Sequence, residues 1–311
     1  MLLNSSYKRK VYKDKNYLVI MAGKNNVKKI LSRLSTVVLL LGAGLFALNS
    51  YFKTSKLELL PNSGIFNKLE ERISKETEKP NQNQDKYAVL ISGKTEISTQ
   101  ADLSLAYQVL LENDFPKRNI YILDRKGGQQ FFYPVDGSAE KQEIKNLFSH
   151  LGKIVDDQDL LFVYLTDHGK RKKSSSGDSV STFTLLGQYF DQREFSEYIK
   201  GINPRIGILL FDQCYSGGFA EECGKGKFIG IASTKKTSKG TNQIYRSMGG
   251  LFMYAFRDEE NSDSNKDGKV SLQEAIAYMS ARHRAVRSGR LTPVIQGEYD
   301  LTKVFLDNSK N

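Results

Sequence analysis

Cysteine and histidine are scarce in this chain, two and three among 311 residues. Two thiols do not make a disulfide framework, so stability has to come from a buried core, and the length suffices for one large domain or two small ones. There are no internal repeats. Acids are almost missing from the N-terminal part: residues 1–56 hold eleven Lys/Arg and one acid, Asp14. Of the formal net charge of +11, only +1 is left for everything after residue 56. Basicity is therefore a property of the N-terminus, and it gives no support to nucleic-acid binding by the main domain. Charge is missing altogether from the nineteen residues Leu34 to Phe52, "LSTVVLLLGAGLFALNSYF". At ~1.5 Å per residue such a run nearly spans a ~30 Å hydrocarbon core.

Lys24, Lys28, Lys29 and Arg33 precede that run, and only Lys53 and Lys56 follow it closely. The asymmetry predicts a basic cytoplasmic N-terminus (1–33), a membrane-spanning helix (34–52) and a C-terminal domain outside the cytoplasm. No good small-x-small cleavage site follows the apolar core, which favours an uncut anchor; a secreted product of signal cleavage is the alternative. Residues 53–85 end in "ETEKPNQNQD", polar and without apolar period, and read as a linker to a domain over 86–311.

From Lys86 onward the hydrophobic period alternates. Short apolar runs at 87–93, 119–124, 160–166, 205–211 and 227–234 read as strands. Between them lie amphipathic helices. One is capped by Thr99, with Asp102 three residues on and Leu103, Ala106, Val109 and Leu110 as its stripe. One opens at Ser138 and carries Ile144, Leu147, Phe148, Leu151 and Ile154. A third starts from the capping pair Asp191 and Glu194. Alternating strands and helices predict an α/β fold with a mostly parallel sheet and helices on both faces. Sites in such sheets form at the carboxyl ends of strands.

Two of those ends carry the scarce residues. "LLFVYLTDHGK" (160–170) finishes in Asp167, His168 and Gly169, and "LLFDQCYSGG" (209–218) in Asp212, Cys214 and two glycines. A thiol of ordinary pKa ~8.5 becomes a good nucleophile when a nearby base favours the thiolate. Glycines beside it let a substrate backbone approach, and free backbone N–H groups can hold an oxyanion. The plainer alternative is a buried small hydrophobe and a satisfied polar residue, but both rare residues at matching strand ends favour the catalytic pairing.

"YLTDHG" followed some forty residues later by "LLFDQCYSGG" resembles the legumain-like cysteine peptidases of the caspase-type clan. The upstream stretch "YAVLISG…QADLSLAYQVLLENDFPKRNIYIL" is similar to that family's first strand, helix and second strand, and the likeness covers about 86–235. The resemblance implies a caspase/legumain-like three-layer sandwich around a six-stranded, mostly parallel sheet. It implies His168 as general acid/base, Cys214 as nucleophile, and the N–H groups of Gly169 and Cys214 as oxyanion hole. It implies peptide or protein substrates and no organic cofactor; hydrolysis and transpeptidation share one acyl-enzyme and stay open. Asp212 matches an acidic position of the family's specificity pocket. Ser98 stands where animal and plant legumains carry an arginine, so a basic residue before the scissile bond, or a substitute cation from Arg171 or Arg246, are both open. The rival expectation is a catalytically silent binding module using the same cleft.

Outside the pair, His150 and His283 are expected at the surface, and Cys223 as a spare thiol or, bridged to Cys214, a redox lock. "KRKKSSSGDSVS" (170–181) reads as a mobile basic loop or a solvated insertion. "DSNKDGKVSLQE" (263–274) matches the twelve-residue calcium loop, with Asp263, Asn265, Asp267, the Lys269 carbonyl, Ser271 and Glu274 at the ligand positions and Gly268 at the turn. A single structural calcium ion is expected there, an Asx-rich turn capping the following helix being the alternative.

Overall fold

The apolar runs become strands buried along almost their whole length, as a sheet covered on both faces requires. A computed structural model describes residues 63–75, 84–93, 97–125, 133–174, 177–185, 187–240 and 247–307, all within the compact unit Pro61–Asn311. The run 34–52 and its basic flank lie outside the described residues. In chain order come helix α1 (Ser63–Lys75), strand β1 (Lys86–Ser92), α2 (Ile97–Glu112), β2 (Ile120–Asp124), α3 (Lys141–Ile154) and β3 (Leu160–Thr166). Then follow β4 (Gly169–Lys173), β5 (Ser179–Thr184), β6 (Tyr189–Asp191), α4 (Gln192–Ile199), β7 (Ile206–Asp212), α5 (Gly217–Cys223) and β8 (Phe228–Ala232). The last elements are α6 (Met248–Ala255), α7 (Glu259–Ser262), α8 (Leu272–Arg282), α9 (Arg284–Arg287) and β9 (Val294–Gln296).

The main sheet has the order β2-β1-β3-β7-β8-β9. It is parallel throughout except for β9, which runs antiparallel to β8. The two-residue period of each strand sorts the core. Leu90, Phe162, Tyr164 and Leu210 pack with Leu103 and Val109 of α2, Phe252 of α6 and Ala275 of α8. Val89, Val163, Leu165 and Phe211 pack on the other face with Phe148 of α3, Phe195 of α4 and Phe219 of α5. Burying a side chain of this kind is worth ~1.5–3 kcal/mol, so each face holds the sheet firmly. The expected α/β arrangement, a six-stranded and mostly parallel sheet between helices, is thus present.

Several elements depart from expectation. Part of the segment 53–85, expected as a polar linker, is helix α1. Its Leu69 enters the core, and Arg72 lies over the Tyr121 ring and pairs with Asp136 at 2.7 Å. The segment 170–181, expected as a loop or insertion, forms most of the β4–β5 hairpin of a small antiparallel sheet β4-β5-β6. That sheet buries Val180, Phe183 and Phe190 while leaving Lys170, Arg171 and Lys173 exposed. Helix α2 begins at Ile97, before the expected Thr99 cap. Helix α3 begins at Lys141; Ser138 stays outside it and donates its N–H and hydroxyl to Glu143, at 2.6 and 2.8 Å. Asp191 caps α4 as expected, accepting from the N–H groups of Arg193 and Glu194.

Candidate active site

Strands β3 and β7 are direct neighbours, with Thr166 opposite Asp212. The residues that follow, Asp167-His168 and Gln213-Cys214, therefore leave the sheet side by side at its carboxyl edge. Contact between them is made by backbone. A Cβ on Gly169 would stand 2.8 Å from Gln213 Cγ and closer still to the Cys214 carbonyl oxygen. Only glycine fits there. His168 and Cys214 are both partly exposed, although Asp167, Asp212 and Gln213 beside them are buried.

Each of the two residues is held in place. The His168 N–H donates to Asp167 Oδ1 at 2.6 Å, and the His168 carbonyl accepts from the Thr184 N–H at 2.9 Å. Asp167 in turn accepts from the Ser92 hydroxyl at the end of β1, 3.3 Å away. Since His168 and Thr184 form a bonded rung, ladder alternation turns the Gly169 N–H away from β5. On the other side, Tyr215 takes the left-handed conformation (φ 63°), sparsely populated by non-glycine residues and commonest where function imposes it. Its N–H donates to the Ser238 carbonyl at 2.9 Å. The Gly240 N–H donates to Cys214 Sγ at 3.2 Å. The chain from Ser233 to Gly240 thus lies against the nucleophile, and Gly217 leaves room for its Lys236 N–H, 2.6 Å from where a Cβ would be.

Beneath the pair, on the face that carries α2 and α6, two carboxylates meet. Asp212 Oδ2 accepts the Gly249 N–H at 2.8 Å. Asp102, from α2, comes so near Gly250 that a Cβ there would be 2.6 Å from Oδ1. Ser247, the N-cap of α6, accepts the Gly250 N–H at 2.8 Å and hydrogen-bonds both aspartates. Asp102 is 2% exposed, and its Oδ2 has no hydrogen-bond partner among the described residues. Burial first, and the Asp212 charge second, push its carboxyl up to about 8 against the Ser247 bond. Burial also raises Asp212, opposed by Gly249, Ser247, Ser233 and His283. Ser98 is buried one turn before Asp102 on the same helix face. In the sequence Asp102 reads only as a helix-start acid. A signal was present: it sits four residues before Ala106 and seven before Val109, on the stripe that α2 buries.

The remaining candidates fall elsewhere. Cys223 is a free, buried thiol that points at the Gln192 carbonyl, 3.8 Å away, and Cys214 is free too, so no bridge joins them. Burial raises the Cys223 thiol pKa. His150 and His283, expected at the surface, are both buried. His150 meets the edge of Tyr121, and His283, at the end of α8, lies in the field of Asp212 while burial lowers its pKa. Arg171 is exposed on β4, and Arg246 lies outside the described residues.

The loop 263–274 folds onto itself. Asp263 accepts the N–H groups of Lys266 and Gly268, at 2.7 and 2.9 Å, and Gly268 adopts φ 80°. Asn265 donates to Asp267, which accepts the Lys269 N–H. Ser271 and Glu274 form a reciprocal capping box on α8, and the other Glu274 oxygen accepts from Ser264 and Asn265. Burial would raise Glu274; the bonds from Ser271, Ser264 and Asn265 outweigh it and hold the carboxyl at about 2. The oxygens are those a calcium ion takes, but Glu274 is engaged by the cap. Among the described residues no group of three or more His, Cys, Asp or Glu side chains is placed to hold a metal.

Compared with known families and curated proteins, the chain matches no family model and no curated protein.

Proposed function

We propose that the protein is a cysteine endopeptidase, or transpeptidase, of legumain/caspase-like fold, working by a Cys214–His168 dyad. The observation that carries this reading is the backbone contact of Gly169 with Cys214, which brings the two scarce residues together, half-exposed, at adjacent strand ends. In the proposed sequence His168 takes the Cys214 proton and Sγ attacks the scissile carbonyl carbon. The resulting oxyanion is held by the N–H groups of Gly169 and Cys214. The C–N bond then breaks as His168 returns the proton to the leaving amine. The acyl-enzyme passes its acyl group to water in hydrolysis, or to an amine in transfer. A peptidyl electrophile is expected to modify Cys214 alone, as read by mass spectrometry of the full chain. No adduct would leave the silent binding module in its place.

The domain is proposed to work outside the cytoplasm, held by residues 34–52. Protease added to intact cells is expected to digest 86–311 and spare the basic tail. A protected domain would mean an inverted or absent anchor.

Calcium is proposed as a structural ion of the loop 263–274, supported by its ordered oxygen donors and the left-handed Gly268. At ~100-fold excess over Kd an ion stabilises the native state by ~2.7 kcal/mol. A higher melting temperature with calcium than with chelator, lost in Glu274→Gln, is expected; identical curves would leave only a helix cap. Without calcium Glu274 adds a pH effect. Its folded pKa is depressed, so its stabilisation is present above the ordinary carboxylate range and is lost as pH falls towards about 2.

A further inference from the structure

We propose that the free edge of β4, together with the chain at 233–240, is a docking strip for an acidic, extended segment of the protein substrate, bound within a few residues of the scissile bond. The inference rests on the reading of Cys214 as nucleophile, and it names a substrate class for that site.

Charge comes first. Residues 169–174 and 233–240 hold seven Lys/Arg and no acid, which leaves the rest of the chain after residue 56 at −6. Both segments are pinned to the nucleophile by backbone. Gly169, where β4 starts, packs on the Cys214 carbonyl. From the other segment the Ser238 carbonyl accepts the Tyr215 N–H, the Thr234 hydroxyl accepts the Ser216 N–H at 3.1 Å, and the Gly240 N–H reaches Sγ. Lys170, Arg171 and Lys173 of β4 are exposed, and so are Lys235, Lys236 and Lys239 of the loop. Among the described residues Lys236 pairs with Glu221 at 2.7 Å and Lys172 lies over the Tyr189 ring; the other five have no acidic partner. Charge that only solvates a surface has no reason to collect on the two segments that flank one residue.

Backbone chemistry selects the kind of partner. Among the described residues β4 pairs with β5 alone. The His168 carbonyl accepts the Thr184 N–H and the Ser174 N–H donates to the Asp178 carbonyl, so the even residues between them face β5. The N–H and C=O groups of Gly169, Arg171 and Lys173 therefore point to the open edge. Donors and acceptors repeating every second residue are matched by another extended polypeptide, and by neither a lipid headgroup nor a nucleic acid. The edge also starts where the reaction is proposed to happen, because the Gly169 N–H that holds the oxyanion is the first group of the row. A substrate chain running on from the scissile carbonyl meets Arg171 next and then Lys173. In an extended chain alternate side chains share a face at ~6.8 Å, the repeat of Lys170 with Lys172 and of Arg171 with Lys173. Glutamate or aspartate at alternate positions thus finds a cation at each.

The test uses the full chain in detergent and fluorogenic peptides carrying Glu-Ser-Glu-Ser or Gln-Ser-Gln-Ser, in one series before the cleaved bond and in another after it. Each is made with Arg, Asn or Asp as the residue preceding that bond. In one series the Glu peptides are expected to exceed the Gln peptides about tenfold or more in kcat/KM at about 50 mM salt, through KM, and to lose the advantage at about 0.5 M. Lys170→Gln/Lys173→Gln should remove the advantage and leave cleavage of the Gln peptides unchanged. N-methylation of alternate residues should abolish it in one phase, where the N–H groups face β4, and spare it in the other. Fluorescence anisotropy of the labelled peptides on the full Cys214→Ala chain should show the same preference without turnover. Equal cleavage and equal binding of Glu and Gln peptides overturns the strip and leaves the cysteine reading standing. An advantage indifferent to both phases of N-methylation overturns it too, as does inorganic polyphosphate binding through Lys170 and Lys173 where the Glu peptide does not. Glu-peptide binding that Lys170→Gln/Lys173→Gln removes, with no cleavage by the wild type, upholds the strip and sinks the peptidase.

Discussion

Cys214→Ala is expected to abolish peptide cleavage and covalent labelling, and Cys223→Ala to leave both largely intact. The two thiols are nine residues apart in sequence and opposite in setting. Cys214 is partly exposed and its sulfur accepts a backbone N–H, whereas Cys223 is buried on α5 with its pKa raised. Reactivity follows the thiolate, so Cys223, buried and with its pKa raised, is expected to stay inert. His168→Ala should cost ~10²–10⁴ in kcat from lost acid/base help, and more from lost positioning. Steady-state kinetics and intact-mass labelling on the purified chain check all three substitutions. Activity retained by Cys214→Ala would end the enzymatic reading.

Gly169→Ala should be nearly as damaging without touching a reacting atom. The added methyl has to displace the Cys214 carbonyl and Gln213 Cγ, and the first of these is backbone, which cannot swing aside. The nucleophile and one side of the proposed oxyanion hole shift together. A misplacement of ~1 Å can cost ~10²-fold, so kcat should fall by about that much or more. A folded Gly169→Ala protein of normal kcat would mean that the contact is slack and His168 is not held against Cys214. Circular dichroism establishes the folding and kinetics the rate.

How much of this was legible follows burial. Strands such as "YAVLISG" and "LLFVYLT" announce themselves because both faces are covered and almost every residue is apolar. Their order of appearance was enough to find the carboxyl edge where Gly169 packs against Cys214. Strand β9 is three residues, partly exposed, and β4 is five residues of which four are cationic, so neither carries a hydrophobic period. Helix α1 enters the core through Leu69 and the Arg72–Asp136 pair, long-range contacts that a polar composition hides. His283 was misjudged because its neighbours Arg282 and Arg284 suggest solvent, and it is the C-cap position of α8 that turns it inward. Asp102 was explained away by a local rule, helix capping, when its partner was Ser247, far along the chain.

The basic edge of β4 has a consequence for crowding. Among the described residues β4 pairs on one side only; such an edge invites a second copy of itself, and Lys170, Arg171, Lys172 and Lys173 set four like charges along it. Two such edges would face each other at ~4.8 Å, inside the ~8 Å over which physiological salt screens charge. Self-recruitment is therefore refused at close range, however concentrated the molecules become. The β4 strand that begins at Gly169 can thus lie beside the ends of β3 and β7 without zipping neighbouring copies together.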